Sequence, residues 1–392
     1  DAYGYNALSS NTAAQRNVAI GYNALVSFNV TTATDTYNTA VGNLAGTAVT
    51  TGIQNTLIGG LAGDALTDAD YNVAIGKGAL SADTLGSTAV AIGLGSLQNQ
   101  NFTTATNNYN TAVGYGSGSE ITTGIKNTLI GGLAGDALTV ASYNVAVGYG
   151  ALSTEDLRGR AVAIGYNALT AQDAGADTYN VAVGYAAGTA INTGINNTLI
   201  GGKAGDAMTS GASNVVIGSS AEAAAVDSTN SNTIGKGVVG NASGQTTVGH
   251  DASKSWIVHG GTTWAGSSDS RLKENVTTST VGLSFVNDLR PVTYEWKTKG
   301  SIPDTLLGYV EGSTEKFNDS DKVHHGFVAQ EIKAVIDSHS DLGNGHGLWE
   351  ANETDGLQAL APAALVPMLV KAIQELSAQV DALTTRITTL EG

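Results

Sequence analysis

The sequence predicts a mainly β chain: a parallel β-solenoid shaft, then a small α+β segment that ends in a long amphipathic helix. Three observations carry this. A five-residue motif recurs at a near-fixed period through the first two-thirds. Glycine and proline partition sharply near residue 266. An unbroken apolar stripe spaced 3,4 runs along the C-terminus.

The motif is Asn-(Val/Thr)-(Ala/Leu)-(Ile/Val)-Gly. It occupies 17–21, 38–42, 55–59, 72–76, 110–114, 127–131, 144–148, 180–184, 197–201 and 214–218. Copies with Ala in the first place end at Gly93 and Gly165, and shortened copies end at Gly235 and Gly249. The usual step is 17, as from Gly42 to Gly59, and it grows to 21 where a unit is longer, as from Gly21 to Gly42. A second period of 72 relates Gly21, Gly93 and Gly165. Self-similarity of this kind marks stacked units that bury a continuous core only together. Each Val-Ala-Ile or Thr-Leu-Ile run reads as a strand too short to stand alone. The glycine after it permits a positive φ or a close approach of the next coil. The second half of each unit, as in Tyr22-Asn-Ala-Leu, makes a second strand or a tight corner with Ala and Leu inward. Small residues dominate because the interior is thin.

Of 51 glycines, 41 lie at or before residue 266, whereas Pro291, Pro303, Pro362 and Pro367 all follow it. The expected division is therefore a repeat shaft over 1–250, a β-rich neck and linker over 251–267, and a C-terminal domain over 268–392. Residues 1–267 carry 8 basic and 16 acidic side chains, and 268–392 carry 10 and 18. With both parts acidic and no Lys/Arg cluster, a nucleic-acid partner is not expected. The chain has no cysteine, which excludes disulfides, thiolate zinc sites and a thiol nucleophile. No apolar run is long enough for a membrane span, so membrane insertion is not expected. The start at Asp1 reads as a fragment or a processed product.

The repeats offer little chemistry. Gly59-Gly60-x-x-Gly63-Asp64 has the wrong spacing for a calcium-binding nonapeptide, and Asp64, Asp136 and Asp206 read as turn-capping residues. Acidic residues are sparse and recur at equivalent loop positions, which disfavours the paired carboxylates of a glycosidase. Tyr37, Tyr71, Tyr109, Tyr143 and Tyr179 read first as packed between rungs or subunits, with sugar stacking as the alternative. No cofactor and no metal is expected.

The Asn-Val-Ala-Ile-Gly core with its Gly21-Tyr-Asn-Ala24 continuation resembles the head repeats of trimeric autotransporter adhesins, over roughly 1–250. That resemblance implies parallel β-rolls packed three to a bundle, although 17 exceeds the usual period of those heads. Gly-rich rungs of phage fibres match as well. Past the neck, where Trp256 and Trp264 flank a run expected to seal the solenoid end, comes Ser268-Asp-Ser-Arg-Leu-Lys-Glu-Asn-Val276. In order follow Leu289-Arg-Pro-Val-Thr-Tyr-Glu-Trp296, His325-Gly-Phe-Val-Ala-Gln-Glu-Ile332 and Ala364-Leu-Val-Pro-Met-Leu-Val-Lys-Ala-Ile-Gln-Glu-Leu376. Together they resemble the endosialidase-type intramolecular chaperones, self-releasing C-terminal domains of phage tail spikes and fibres. Gln358 and Leu360 depart from the pattern, since relatives often carry an aromatic residue there.

A serine hydroxyl needs a base before it attacks, and a lysine five residues on can supply one if burial lowers its pKa from about 10.4. By the resemblance, Ser268 is the nucleophile, Lys273 the base, and the bond Ser267–Ser268 is cut, with Asp269 and Arg271 holding the turn. Taken alone, the hexapeptide also fits a helix-capping Ser268 and solvated charges. The apolar stripe is Val366, Leu369, Ile373, Leu376, Val380, Leu383, Ile387 and Leu390, a heptad seam in a helix over about 363–391. Its composition is compatible with three strands, and the number three comes from the resemblance. The resulting expectation is a homotrimeric bacteriophage tail fibre or spike: a virion part made in the host cytoplasm, working outside cells, and meeting a host-surface glycan or receptor. A bacterial trimeric surface adhesin and a polysaccharide depolymerase spike are the alternatives.

Overall fold

Each motif copy forms one short strand and pairs in parallel with the next. Val18–Ile20 lies beside Thr39–Val41, then Thr56–Ile58, and the ladder continues through Asn232–Ile234 to Gln245–His250. The computed structural model describes residues 1–155, 157, 159–318, 322–342, 347–352 and 356–391. It divides into two compact units, Asp1–Ser268 and Asp269–Gly392.

In the first unit the pleat decides which side chains enter the core. The middle residue of each strand is fully buried, as at Ala19, Ala40, Leu57, Ala74 and Leu129. Its neighbours, such as Val18 and Ile20, face outward. The usual rung runs from Leu57 to its partner Ala74, and two rungs are longer, from Ala19 to Ala40 and from Ala91 to Ala112. The sequence reading missed a rung of intermediate length, from Ala163 to Ala182, and a short final one, from Thr233 to Thr247. Extra residues leave as loops, and in the one before Asn110 the pair Thr106–Asn107 runs parallel to Gly86–Ser87 of the preceding rung. The second half of each unit is a corner rather than a strand. Ala24 and Leu25 are buried there, with Leu25 in the left-handed region at φ 48°.

Both reasons for the rung glycine apply at once. Gly21 has φ 134°, and a Cβ on it would lie 2.3 Å from the Gly42 carbonyl oxygen. The asparagine that opens each motif has an internal role. Asn38 is buried, its Oδ1 accepts the backbone N–H of Asn55 at 2.9 Å, and its Nδ2 donates to the Gly52 carbonyl at 2.8 Å. Asn55, Asn127, Asn197 and Asn214 repeat the arrangement. Where Ala89 replaces the asparagine, beside one of the longer rungs, another network takes over. Buried Asp83 accepts from Gln100 Nε2 at 2.7 Å and from two backbone N–H groups, and Gln100 Oε1 accepts from Asn110 at 2.8 Å. One repeat block further on, Glu155, Gln172 and Asn180 take the same roles. The far end closes by reversal: Ser253–Val258 runs antiparallel to Gln245–His250, and Ala265–Gly266 antiparallel to Ser255 and Trp256.

The second unit is small and α+β. Helix α1 (Leu283–Asp288), helix α2 (Ala329–Ser338) and the segment before helix α3 (Val366–Glu391) enclose a core of Val281, Phe285, Ile332, Ile336, Leu348 and Leu365. Strand Val292–Tyr294 pairs antiparallel with His324–Gly326, and Trp349–Ala351 with Gln358–Leu360. Gln358 accepts the Trp349 indole N–H at 3.0 Å. One 3₁₀ turn, Pro362–Leu365, leads into the last helix.

Candidate self-cleavage segment

The chain leaves its solenoid at Ala265–Gly266, and the two units part between Ser268 and Asp269. Asp269 then caps a single 3₁₀ turn, Ser270–Leu272. Its Oδ1 accepts the Arg271 backbone N–H at 2.8 Å and Nε–H at 3.0 Å, and its Oδ2 accepts Nη2–H at 2.7 Å. The Arg271 hydrogen bonds hold the Asp269 carboxyl below the usual carboxylate range. Lys273 closes the turn, its backbone N–H bonding the Ser270 carbonyl at 3.2 Å. The cap is therefore Asp269, so the alternative in which Ser268 caps a helix does not hold. Every residue from 258 to 280, Ser267, Ser268 and Lys273 included, is exposed in the single chain.

The other motifs converge on one place. Val292–Tyr294 and His324–Gly326 are strand partners, Arg290 Nε donates to Glu331 at 2.9 Å, and Leu365 joins the core beside Ile332. Glu375, a polar residue of the last helix, has a task that the sequence does not reveal. Its Oε2 accepts the Leu283 N–H at 2.8 Å, at the start of α1. A Cβ on Gly282 would lie 2.5 Å from that oxygen, so the glycine makes room for the carboxylate. That backbone bond first, and Lys371 second, lower the Glu375 pKa. Gly282 was the available signal, but its partner lies far along the chain, in the last helix. The heptad seam is bare: its residues run from 42% exposed at Leu369 to 85% at Leu390.

The solenoid was read as poor in chemistry, but one carboxyl pair escaped notice. Glu222 is hydrogen-bonded to Asp206 on the preceding rung, and its pKa is pushed up to about 8, by burial first and by that contact second. Two carboxyls at hydrogen-bond distance leave no space for a sugar ring or a water between them, whereas glycosidase pairs stand about 5–9.5 Å apart. Asp64 and Asp136 are part-buried, and burial raises both carboxyls. Tyr37, Tyr71, Tyr109, Tyr143 and Tyr179 are not enclosed between rungs; each is 47–55% exposed. Among the described residues there is no cluster of three or more His, Asp or Glu able to hold a metal, and no helix is long and apolar enough to cross a membrane.

Residues 268–341 match a peptidase-type family described as the chaperone of endosialidase, and the match opens on Ser268. No curated protein and no solved structure matches the chain.

Proposed function

We propose that this chain is the shaft and C-terminal chaperone of a homotrimeric phage tail fibre or spike, and that the chaperone cuts itself away at Ser267–Ser268. The observation that carries the reading is the bare heptad seam, eight apolar residues spaced for partner helices along α3. A second unpartnered surface supports it. The outward Val and Ile of successive rungs make an apolar strip, with Ile20, Ile130 and Ile200 each 41–42% exposed. Over fourteen parallel pairings among the described residues, at about 4.8 Å each, it extends roughly 65 Å. Such strips mark association sites.

The chemistry follows from exposure. Lysine acts as a base near neutral pH only when partly buried, and in one chain the 258–280 segment is exposed throughout. Association of three chains supplies the burial. Lys273 then takes the proton of Ser268, whose oxygen attacks the Ser267 carbonyl carbon. An ester forms as the peptide C–N bond breaks, the protonated Lys273 returns its proton to the departing Ser268 amine, and water hydrolyses the ester. The event occurs once per chain. Registering three solenoids through α3 raises their effective concentration, and losing the registering helices leaves a shaft that unfolds slowly. Outside the host the shaft meets a surface glycan or spaces a receptor-binding tip; the Asp206–Glu222 carboxyls are too close to serve as a glycosidase pair.

Ser268→Ala and Lys273→Ala test the reading: both should stay full length and still assemble. Lys273→Arg should also stay whole, because a guanidinium does not deprotonate near neutral pH. Cutting at the same bond in Ser268→Ala would assign the work to an outside protease.

A further inference from the structure

Two columns of exposed side chains border the outward strand strip. One precedes the buried asparagine of each rung and holds Tyr71, Tyr109, Tyr143 and Tyr179 among others. The second follows the rung glycine, and in it Tyr149, Tyr166 and Tyr185 stack on consecutive rungs, with centroids 5.7 and 5.4 Å apart and planes within 14°. From Tyr109 to Tyr179 the first column alternates rings with cations: Arg160 lies 5.4 Å from the Tyr143 centroid and 5.5 Å from that of Tyr179. In every rung the two columns are six residues apart.

We propose that these columns are the seams of the shaft, where the first column of one copy meets the second column of its neighbour at the same height. The proposal rests on the threefold assembly argued above and names the residues that make it. Copies related by rotation about an axis along the shaft present opposite edges to one another without axial shift. Six same-rung pairs are then complementary. Three bring a cation to a ring: Arg16 with Tyr22, Tyr71 with Lys77, Arg160 with Tyr166. Three bring ring to ring: Tyr109 with Tyr115, Tyr143 with Tyr149, Tyr179 with Tyr185. The remaining first-column lysine, Lys126, faces Gly132, and no rung sets charge against charge. The first-column corner does not itself demand a ring, since Asn196, Ser213 and Asn230 adopt the same left-handed conformation there.

The absence of cysteine makes the test clean. Full-length Tyr143→Cys/Tyr149→Cys is treated with a bis-maleimide much shorter than the strip, across which the two positions of one chain stand about 20 Å apart at about 3.3 Å per residue. The expected product is a covalent trimer, with each single variant remaining unlinked. Tyr71→Cys/Tyr185→Cys, six rungs out of register, should also remain unlinked. Light scattering on the same samples separates the failures. A trimer with no in-register cross-link overturns the seam and leaves the assembly standing; a monomer overturns the assembly. Cross-linking of either single variant would mean that like columns meet, which also overturns the proposal. Tyr166→Lys, which sets a cation against Arg160, should weaken the Tyr143→Cys/Tyr149→Cys cross-link between assembled chains, and Arg160→Glu in the same chain should restore it. Cross-linking unaffected by Tyr166→Lys would count against the seam.

Discussion

Replacing Asn127 by Ala asks whether the buried asparagine ladder holds the rungs. Asn127 is fully buried; its Oδ1 accepts the Asn144 N–H at 3.0 Å, and its Nδ2 donates to the Ala141 carbonyl at 2.9 Å. Alanine strips both backbone groups of these partners. Each buried group left unmade costs about 1–3 kcal/mol, so two cost about 2–6 kcal/mol, and a value near 3 allows for relaxation. At about 2–4 °C per kcal/mol for a unit of this size, the midpoint should fall by about 6–12 °C. Ala89 and Ala161 occupy this place naturally, but the Asp83–Gln100–Asn110 and Glu155–Gln172–Asn180 networks stand beside them; Asn127 has no such substitute. Heat and guanidinium unfolding followed by circular dichroism measure the loss, and hydrogen exchange should place it over 128–147. A change within about 0.5 kcal/mol, the range of an ordinary surface substitution, would refute the ladder as a source of stability.

Gly114→Ala should yield no folded shaft, because the added Cβ would stand 2.3 Å from the Gly131 carbonyl oxygen at φ 143°; soluble protein with a normal β spectrum would contradict this. Glu222 keeps its proton in the fold up to about pH 8, against an ordinary value of 4.5 when unfolded. Its contribution to stability is therefore full below pH 4.5 and lost as pH rises through 8, and Glu222→Gln should flatten the pH dependence of unfolding across that window. Leu376→Asp lies in the bare seam, 50% exposed. It should leave the fold of one chain intact by circular dichroism while light scattering reports monomers; retained trimers would show that the seam is not what joins the chains.

The solenoid was legible because its period is the rung length and its glycine is forced by backbone packing between rungs, both local facts. The asparagine recurred just as plainly, yet its role was hidden. Asn55 finds one partner in Ala69, at the end of its own rung, and the other in Asn72, at the start of the next. Asp206 and Glu222 were opaque for the same reason, being neighbours only across rungs. The rung from Ala163 to Ala182 and the short final one escaped because loops absorb length without disturbing the strands. In the second unit the motif order pointed to one domain, and the pairing of Val292–Tyr294 with His324–Gly326 brings two of those motifs together. Glu375 was not legible, since a helix carboxylate that caps α1 looks in sequence like any solvated glutamate.

Self-release at a single bond is the central claim, and the mass and N-terminal sequence of the protein as it emerges from expression test it most directly. Two polypeptides are expected. One ends at Ser267, and the other begins with Ser268 and runs to Gly392, just under a third of the 39.5 kDa chain. At roughly 110 Da for each of its residues it should appear as a small fragment well resolved from the shaft. A single intact chain that stays whole after assembling, or a fragment with any other first residue, would contradict self-release at this bond.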